Sequence, residues 1–219
     1  MIIEVNGISL NYEKLGQGYP LIMLHGNGES LEIFKKLAKK LKAHYEIYLI
    51  DSRNHGKSSS TKEISYEDMR EDIYEFIKKL NIKKPNVIGF SDGAIVSSMI
   101  EIKYKDTFNK MALLGINLSP RDFKDKIYSI MLEKFKNSNN PLEILMLNEP
   151  NINLEELSTI DKDVMFFYGD YDLFKDSLYD KLKKALPKAY HKKMIGYDHS
   201  SYINNKDIIY DDLIKFFEN

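Results

Sequence analysis

Ser91 stands in Gly89-Phe90-Ser91-Asp92-Gly93, between an apolar run (Val87, Ile88) and a helix-like stretch from Ala94 to Ile100. Strand, sharp turn and helix with a serine at the turn match the Gly-x-Ser-x-Gly nucleophile elbow, in which a strained turn lifts the hydroxyl above a sheet. A serine nucleophile needs a base to take its proton and a third group to orient that base. Five histidines are available. His25 leaves a strand before Gly26, His44 ends a surface helix, His55 sits in a polar loop and His191 lies within a strand. His199, in Gly196-Tyr197-Asp198-His199-Ser200, follows the last strand and precedes the last helix, and it alone both follows every acid candidate and lies on a sheet-top loop at the chain's end. Those candidates are Asp170 and Asp172, in Gly169-Asp170-Tyr171-Asp172 at the end of the apolar run Val164–Tyr168. Ligands bind at that edge of an open α/β sheet. Spacing alone leaves the two aspartates level.

The elements that must position these groups alternate. Asn6-Gly7 between two short alternating runs reads as a β-hairpin with a type I′ turn. Leu21–Leu24, Ile47–Ile50, Val87–Ile88, Met111–Leu114 and Val164–Tyr168 read as buried strands. Ala189–Ile195 is a less apolar strand nearer an edge. Helical spacing follows Ser30 (Leu31, Phe34, Leu37, Ala38, Leu41), follows the Ser65/Asp68 capping-box pair (Tyr66 to Leu80), spans Phe174–Leu186 and returns in Ile208–Phe217. Strands alternating with helices imply right-handed crossovers and a mostly parallel sheet covered on both faces.

Composition narrows the classes. A length of 219 residues favours a single domain. A formal net charge of −1 leaves no electrostatic footprint for nucleic acid or an anionic membrane. There is no cysteine, which excludes disulfides, thiol nucleophiles and cysteine metal sites. The first residues carry no basic segment followed by a long apolar one, and no run approaches the roughly 20 apolar residues of a membrane span. A cytoplasmic protein is the expectation.

His25-Gly26-Asn27-Gly28, the loop Asp51–Ser58, the elbow, Gly169–Asp172 and His199 together resemble the ordered landmarks of the α/β-hydrolase superfamily. They cover almost the whole chain. Its elbow is similar to those of small esterases and carbon–carbon bond hydrolases. The resemblance implies Ser91 as nucleophile, His199 as base and Asp172, the last residue of the family's Gly-x-x-Asp pattern, as acid. It implies an oxyanion hole from the backbone N–H groups of Asn27 and Asp92, where the Asn27 side chain need not matter. It makes His25 and the loop of Arg53 and His55 structural. Asn54 replaces the family's usual glycine, and asparagine tolerates the left-handed backbone such a position needs.

The expected fold is one α/β-hydrolase domain over residues 1–219: a mostly parallel sheet, an N-terminal antiparallel hairpin and a small helical cap inserted at about 119–148. Within the cap, Phe123, Ile127, Ile130, Met131 and Phe135 keep helical spacing, and Leu142 to Leu147 form a second apolar stretch. Phe90, Phe123 and Phe135 are the candidates to line an acyl pocket. The expected activity is hydrolysis of a small-molecule carboxylic ester through an acyl-enzyme, with no metal or organic cofactor. A thioesterase, amidase, carbon–carbon hydrolase or acyltransferase would use the same groups. A non-catalytic ligand-binding protein of this fold is the rival, and the complete set of Ser91, Asp172 and His199 weighs against it. The expected partner is a small acyl substrate, not nucleic acid or membrane.

Overall fold

The computed structural model describes residues 1–218. Its strands are β1 (Ile2–Val5), β2 (Ile8–Leu15), β3 (Tyr19–Leu24), β4 (Tyr45–Ile50), β5 (Asn86–Phe90), β6 (Lys110–Leu114), β7 (Asp163–Tyr171) and β8 (Tyr190–Asp198). They form one eight-stranded sheet in the order β1-β2-β4-β3-β5-β6-β7-β8. β1/β2 and β2/β4 are antiparallel, and every other pairing is parallel. The hairpin closes at Val5↔Ile8, with Asn6 and Gly7 at φ 44° and 77°. Positive φ at both central residues is the type I′ turn that fits the twist of paired strands.

Strand residues point alternately to two cores. Leu21, Met23, Ile47 and Leu49 face one side. There they meet α1 (Lys35–Leu41) and α8 (Tyr210–Glu218) through Leu37, Leu41, Leu213 and Phe217. Ile22, Leu24, Tyr48 and Ile50 face the other side, towards α2 (Tyr66–Lys79) and α3 (Asp92–Lys103). A sheet covered on both faces by amphipathic helices explains the near-continuous apolar strands. Because the central strands are parallel, β3, β5, β6, β7 and β8 deliver their C-terminal ends to one edge.

Several boundaries differ from the sequence reading. Ser30 caps as expected, its Oγ accepting from the Glu32 N–H at 3.4 Å, but the first turn (Leu31–Phe34) is a 3₁₀ helix leading into α1. Between β6 and β7 lie α4 (Asp125–Phe135), α5 (Pro141–Asn148) and a short α6 (Leu154–Leu157) that periodicity did not reveal. Phe123 precedes α4, bridging to Phe174 as an isolated β pair, so it is not on the helix. Ile130 is 55% exposed because the buried side of α4 runs through Met131. Another helix, α7 (Asp176–Ala185), follows β7. Ile208 precedes α8. Among the described residues no helix is long and apolar enough to cross a membrane.

Candidate active site

Ser91 lies between β5 and α3 at φ 50°, ψ −112°. Such backbone costs of order 1–3 kcal/mol in a non-glycine residue and persists only when its surroundings enforce it. Here the Ser91 N–H donates to the Leu114 carbonyl at 2.8 Å, and the Ser91 carbonyl accepts from Ala94 and Ile95 at 2.9 and 3.1 Å. The turn tucks α3 against β3, with the Gly93 N–H on the His25 carbonyl at 3.1 Å. A Cβ on Gly93 would stand 2.1 Å from the Leu24 carbonyl oxygen, so only glycine fits.

His199 follows β8 and is fixed by a tight turn. The Asp198 carboxylate accepts from the backbone N–H groups of Ser200 and Ser201 at 3.0 and 2.8 Å. The imidazole Nδ1 lies 2.7 Å from Asp172 Oδ1, and Nε2 lies 3.2 Å from Ser91 Oγ. With Nδ1–H donated to the carboxylate, Nε2 is left to accept from the serine. Phe90 and Phe174 flank the ring at centroid distances of 5.0 and 5.2 Å. Gly115, at φ 58°, lies under it, and a Cβ there would stand 2.6 Å from His199 Cε1. The sequence reading did not single out Gly115.

The two aspartates have separate places. Asp172 is buried, and beyond His199 it accepts from the N–H groups of Gly169 (Oδ2, 3.0 Å) and Leu173 (Oδ1, 2.7 Å). Burial pushes its carboxyl upward, but the His199 hydrogen bond and charge and the two backbone donors outweigh this and hold it below the usual range. Asp170 instead pairs with Lys193 at 2.7 Å. The expected loop at Gly169–Asp172 is corrected in part. A register shift between Gly169 and Tyr171 lets Tyr171 pair again with Asp198, so β7 runs up to Asp172.

His25 and His55 brace the approach to the site. His25 Nδ1 donates to the Gly26 carbonyl (2.8 Å), and Nε2 accepts from the Ser52 N–H (3.0 Å). Burial, then the neighbouring His55, lowers the His25 pKa to about 4, so its ring is neutral. His55 Nε2 accepts from the Gly28 N–H at 3.0 Å. Behind them Arg53 forks onto the buried Asp72 at 2.5 and 2.7 Å. Breaking such a buried pair typically costs about 3–5 kcal/mol. Asn54 has φ 63°, the left-handed conformation expected of it.

Among the described residues the backbone N–H groups of Asn27 and Asp92 have no hydrogen-bond partner. The Asn27 side chain is engaged as well: its Nδ2 donates to Asp92 Oδ2 at 3.1 Å. The Tyr66 hydroxyl donates to Asp92 Oδ1 at 2.6 Å. Burial raises the Asp92 carboxyl above its ordinary pKa despite these donors. The two residues with unpaired amides are thus tied through their side chains, with Tyr66 as anchor. Tyr66 reads in sequence as one more apolar position of α2, and nothing there signals that its hydroxyl reaches Asp92.

A cavity of about 200 Å³ opens onto Ser91 and His199. Phe90 and Phe123 line it, together with Met146, Leu173 and Phe174. Phe135 does not line it: at the far end of α4 it packs half-buried against the core. Met146 belongs to the apolar stretch that forms α5, and Leu173-Phe174 directly follow Asp172. Those neighbourhoods were the available signals.

An open, mostly parallel sheet with a serine elbow, an acid and a histidine at the ends of β5, β7 and β8 defines a recognisable class. The chain belongs to the alpha/beta hydrolase fold family, whose profile matches residues 19–143. It is 26% identical over 183 residues to ethanol acetyltransferase 1 of Wickerhamomyces anomalus, covering 82% of this chain and 45% of that one. It thus spans less than half the length of that relative. Among solved structures it is similar to an esterase from Exiguobacterium antarcticum (TM-score 0.86, 16% identity, 100% of this chain and 99% of that one). It is also similar to the enol-lactonase from Burkholderia xenovorans LB400 (TM-score 0.84, 16% identity, all of both chains).

Proposed function

We propose that the protein is a serine hydrolase that cleaves a small carboxylic ester through an acyl-enzyme. The observation that carries this reading is the continuous line from Asp172 Oδ1 through His199 to Ser91 Oγ, at 2.7 and 3.2 Å. Ser91 Oγ attacks the carbonyl carbon as His199 Nε2 takes its proton. Asp172 keeps the imidazole in the accepting tautomer and stabilises the imidazolium. The Asn27 and Asp92 N–H groups receive the oxyanion, and each such donor is worth about 10²–10³ in turnover. The tetrahedral intermediate collapses, His199 protonates the departing alcohol, and water, deprotonated by the same histidine, releases the acid. The small cavity favours a small acyl compound, since drug-sized ligands occupy roughly 300–1,000 Å³. Purified protein is expected to hydrolyse short p-nitrophenyl esters faster than the matching anilides. Turnover of no ester would sink the reading.

A second reading has one observation behind it, the similarity to ethanol acetyltransferase 1. There the acyl-enzyme is discharged by an alcohol instead of water. Adding ethanol to the esterase assay and measuring ethyl ester against free acid separates the two.

The segment 119–148 acts in this proposal as a lid. The Leu142 carbonyl, on α5, accepts from Asn27 Nδ2 at 3.4 Å, and Met146 reaches the cavity. A lid shapes the pocket and excludes water while the reacting groups stay on the rigid core. Phe123→Ala and Met146→Ala are expected to shift relative kcat/KM among acyl chain lengths by about 10–200-fold. Covalent labelling of Ser91 by a fluorophosphonate should survive both changes. An unchanged chain-length profile with labelling lost would make the segment part of the catalytic scaffold instead.

A further inference from the structure

One carboxylate in the cavity has no part in the mechanism above. Glu29 lines the same space as Ser91 and His199, together with the apolar side chains of Phe90, Phe123, Leu173 and Phe174. Its one hydrogen-bond partner among the described residues is the Gly26 N–H, which donates to Oε2 at 3.2 Å; no lysine or arginine is paired with it, and the one cationic group that acts on it is the His199 ring across the cavity. It also stands close to the nucleophile. A Cβ built on Gly26 would touch both Glu29 Oε2 and Ser91 Cβ at 3.0 Å. We propose that Glu29 is a specificity-determining residue that selects acyl substrates carrying a cationic group and disfavours anionic ones. This rests on the acyl-enzyme reading of the same site.

The physical argument is one of incomplete compensation. A half-buried carboxylate has given up part of its water, and one backbone donor replaces only a fraction of it. Burial accordingly raises the Glu29 carboxyl, helped by the Asp92 charge, against the opposing pull of the Gly26 hydrogen bond and the His199 charge, which do not fully offset it. A ligand cation in the cavity would supply the missing charge in surroundings of low dielectric, where attraction is stronger than in water. An anionic substrate would meet repulsion instead, which is how charge arrangements exclude wrong partners. The simpler role, a brace for the loop, uses only the bond to Gly26. The two roles separate in Glu29→Gln, whose Oε1 still accepts from Gly26 while the charge is gone.

The test uses isosteric pairs whose charge does not depend on pH. Choline acetate against 3,3-dimethylbutyl acetate places the charge on the alcohol. Ethyl 4-(trimethylammonio)butanoate against ethyl 5,5-dimethylhexanoate places it on the acyl chain. At pH 8, E29Q is expected to lower the cationic-to-neutral ratio of kcat/KM by about tenfold in at least one pair, a modest charge–charge effect. A ratio unchanged by E29Q in both pairs would leave Glu29 a loop brace and overturn the inference. Should the wild type hydrolyse none of the four esters, the hydrolase reading still stands or falls on the p-nitrophenyl esters. The charge preference is then read by calorimetry of choline against 3,3-dimethylbutan-1-ol. Tighter choline binding that E29Q abolishes supports the role of Glu29, and equal binding by wild type and variant overturns it.

Discussion

Ser91→Ala is expected to lower turnover of a short-chain ester by about 10⁴ or more, with little change in KM. The magnitude follows from triad knockouts, where removing the nucleophile costs nearly as much as removing the whole set. The residual rate would come from the oxyanion donors and from binding, which the change leaves in place. KM should hold because the serine hydroxyl contributes little to ground-state binding in an apolar cavity. The fold should hold too. The hydrogen bonds that fix the turn run through the Ser91 backbone, and the fit against Leu24 belongs to Gly93. Steady-state kinetics with circular dichroism as a folding check decides it. A loss of less than tenfold in a folded variant would mean that another group attacks.

The second large effect separates the two aspartates. Asp172→Asn is expected to reduce kcat by about 10⁴, the scale seen when a triad acid becomes an amide, while Asp170→Asn stays within a few-fold of wild type. An asparagine at 172 must place its NH₂ at one of two oxygen positions. At Oδ2 it would face the Gly169 N–H, donor against donor. At Oδ1 it would face the Leu173 N–H and also donate to His199 Nδ1. The second choice moves the imidazole proton to Nε2, and the ring no longer accepts from Ser91. Asp170 has a half-exposed ion pair with Lys193 and a backbone N–H contact from Gly196 to lose, and near-surface pairs are worth about 0–1 kcal/mol. Equal losses at the two positions, measured as kcat on one ester, would refute the assignment.

The parts of this site that could be read from sequence are those fixed by chain order and backbone chemistry. Ser91, the acid loop and His199 each sit at the exit of a strand, and parallel pairing brings strand exits together. Asn6-Gly7 and Asn54 announced their positive φ through residue type. Asp170 and Asp172 were level on spacing because two residues beyond a glycine cannot be ranked without knowing where the pairing stops. The bulge after Gly169 settles that by carrying β7 to Tyr171.

What was illegible depends on side chains that meet from distant elements. Tyr66, Asn27 and Asp92 come from α2, the loop after β3 and the start of α3, and each has an adequate local explanation as a helix core residue, loop residue or helix N1 acid. Glu29 reads as a solvated loop charge until the cavity is seen. Phe135 shows the opposite error: helical spacing predicted the buried side of α4 only in part, since Ile130 is exposed, and which part of that side meets the cavity is set by where the helix ends.

The most direct test of the central claim is the intact mass of the protein after exposure to a fluorophosphonate, followed by peptide mapping. The predicted result is a single added phosphonyl group on the peptide containing Ser91, absent in Ser91→Ala and greatly slowed in Asp172→Asn. A label on another residue with Ser91 unmodified, or no label on folded protein, would contradict the assignment of Ser91 as an activated nucleophile.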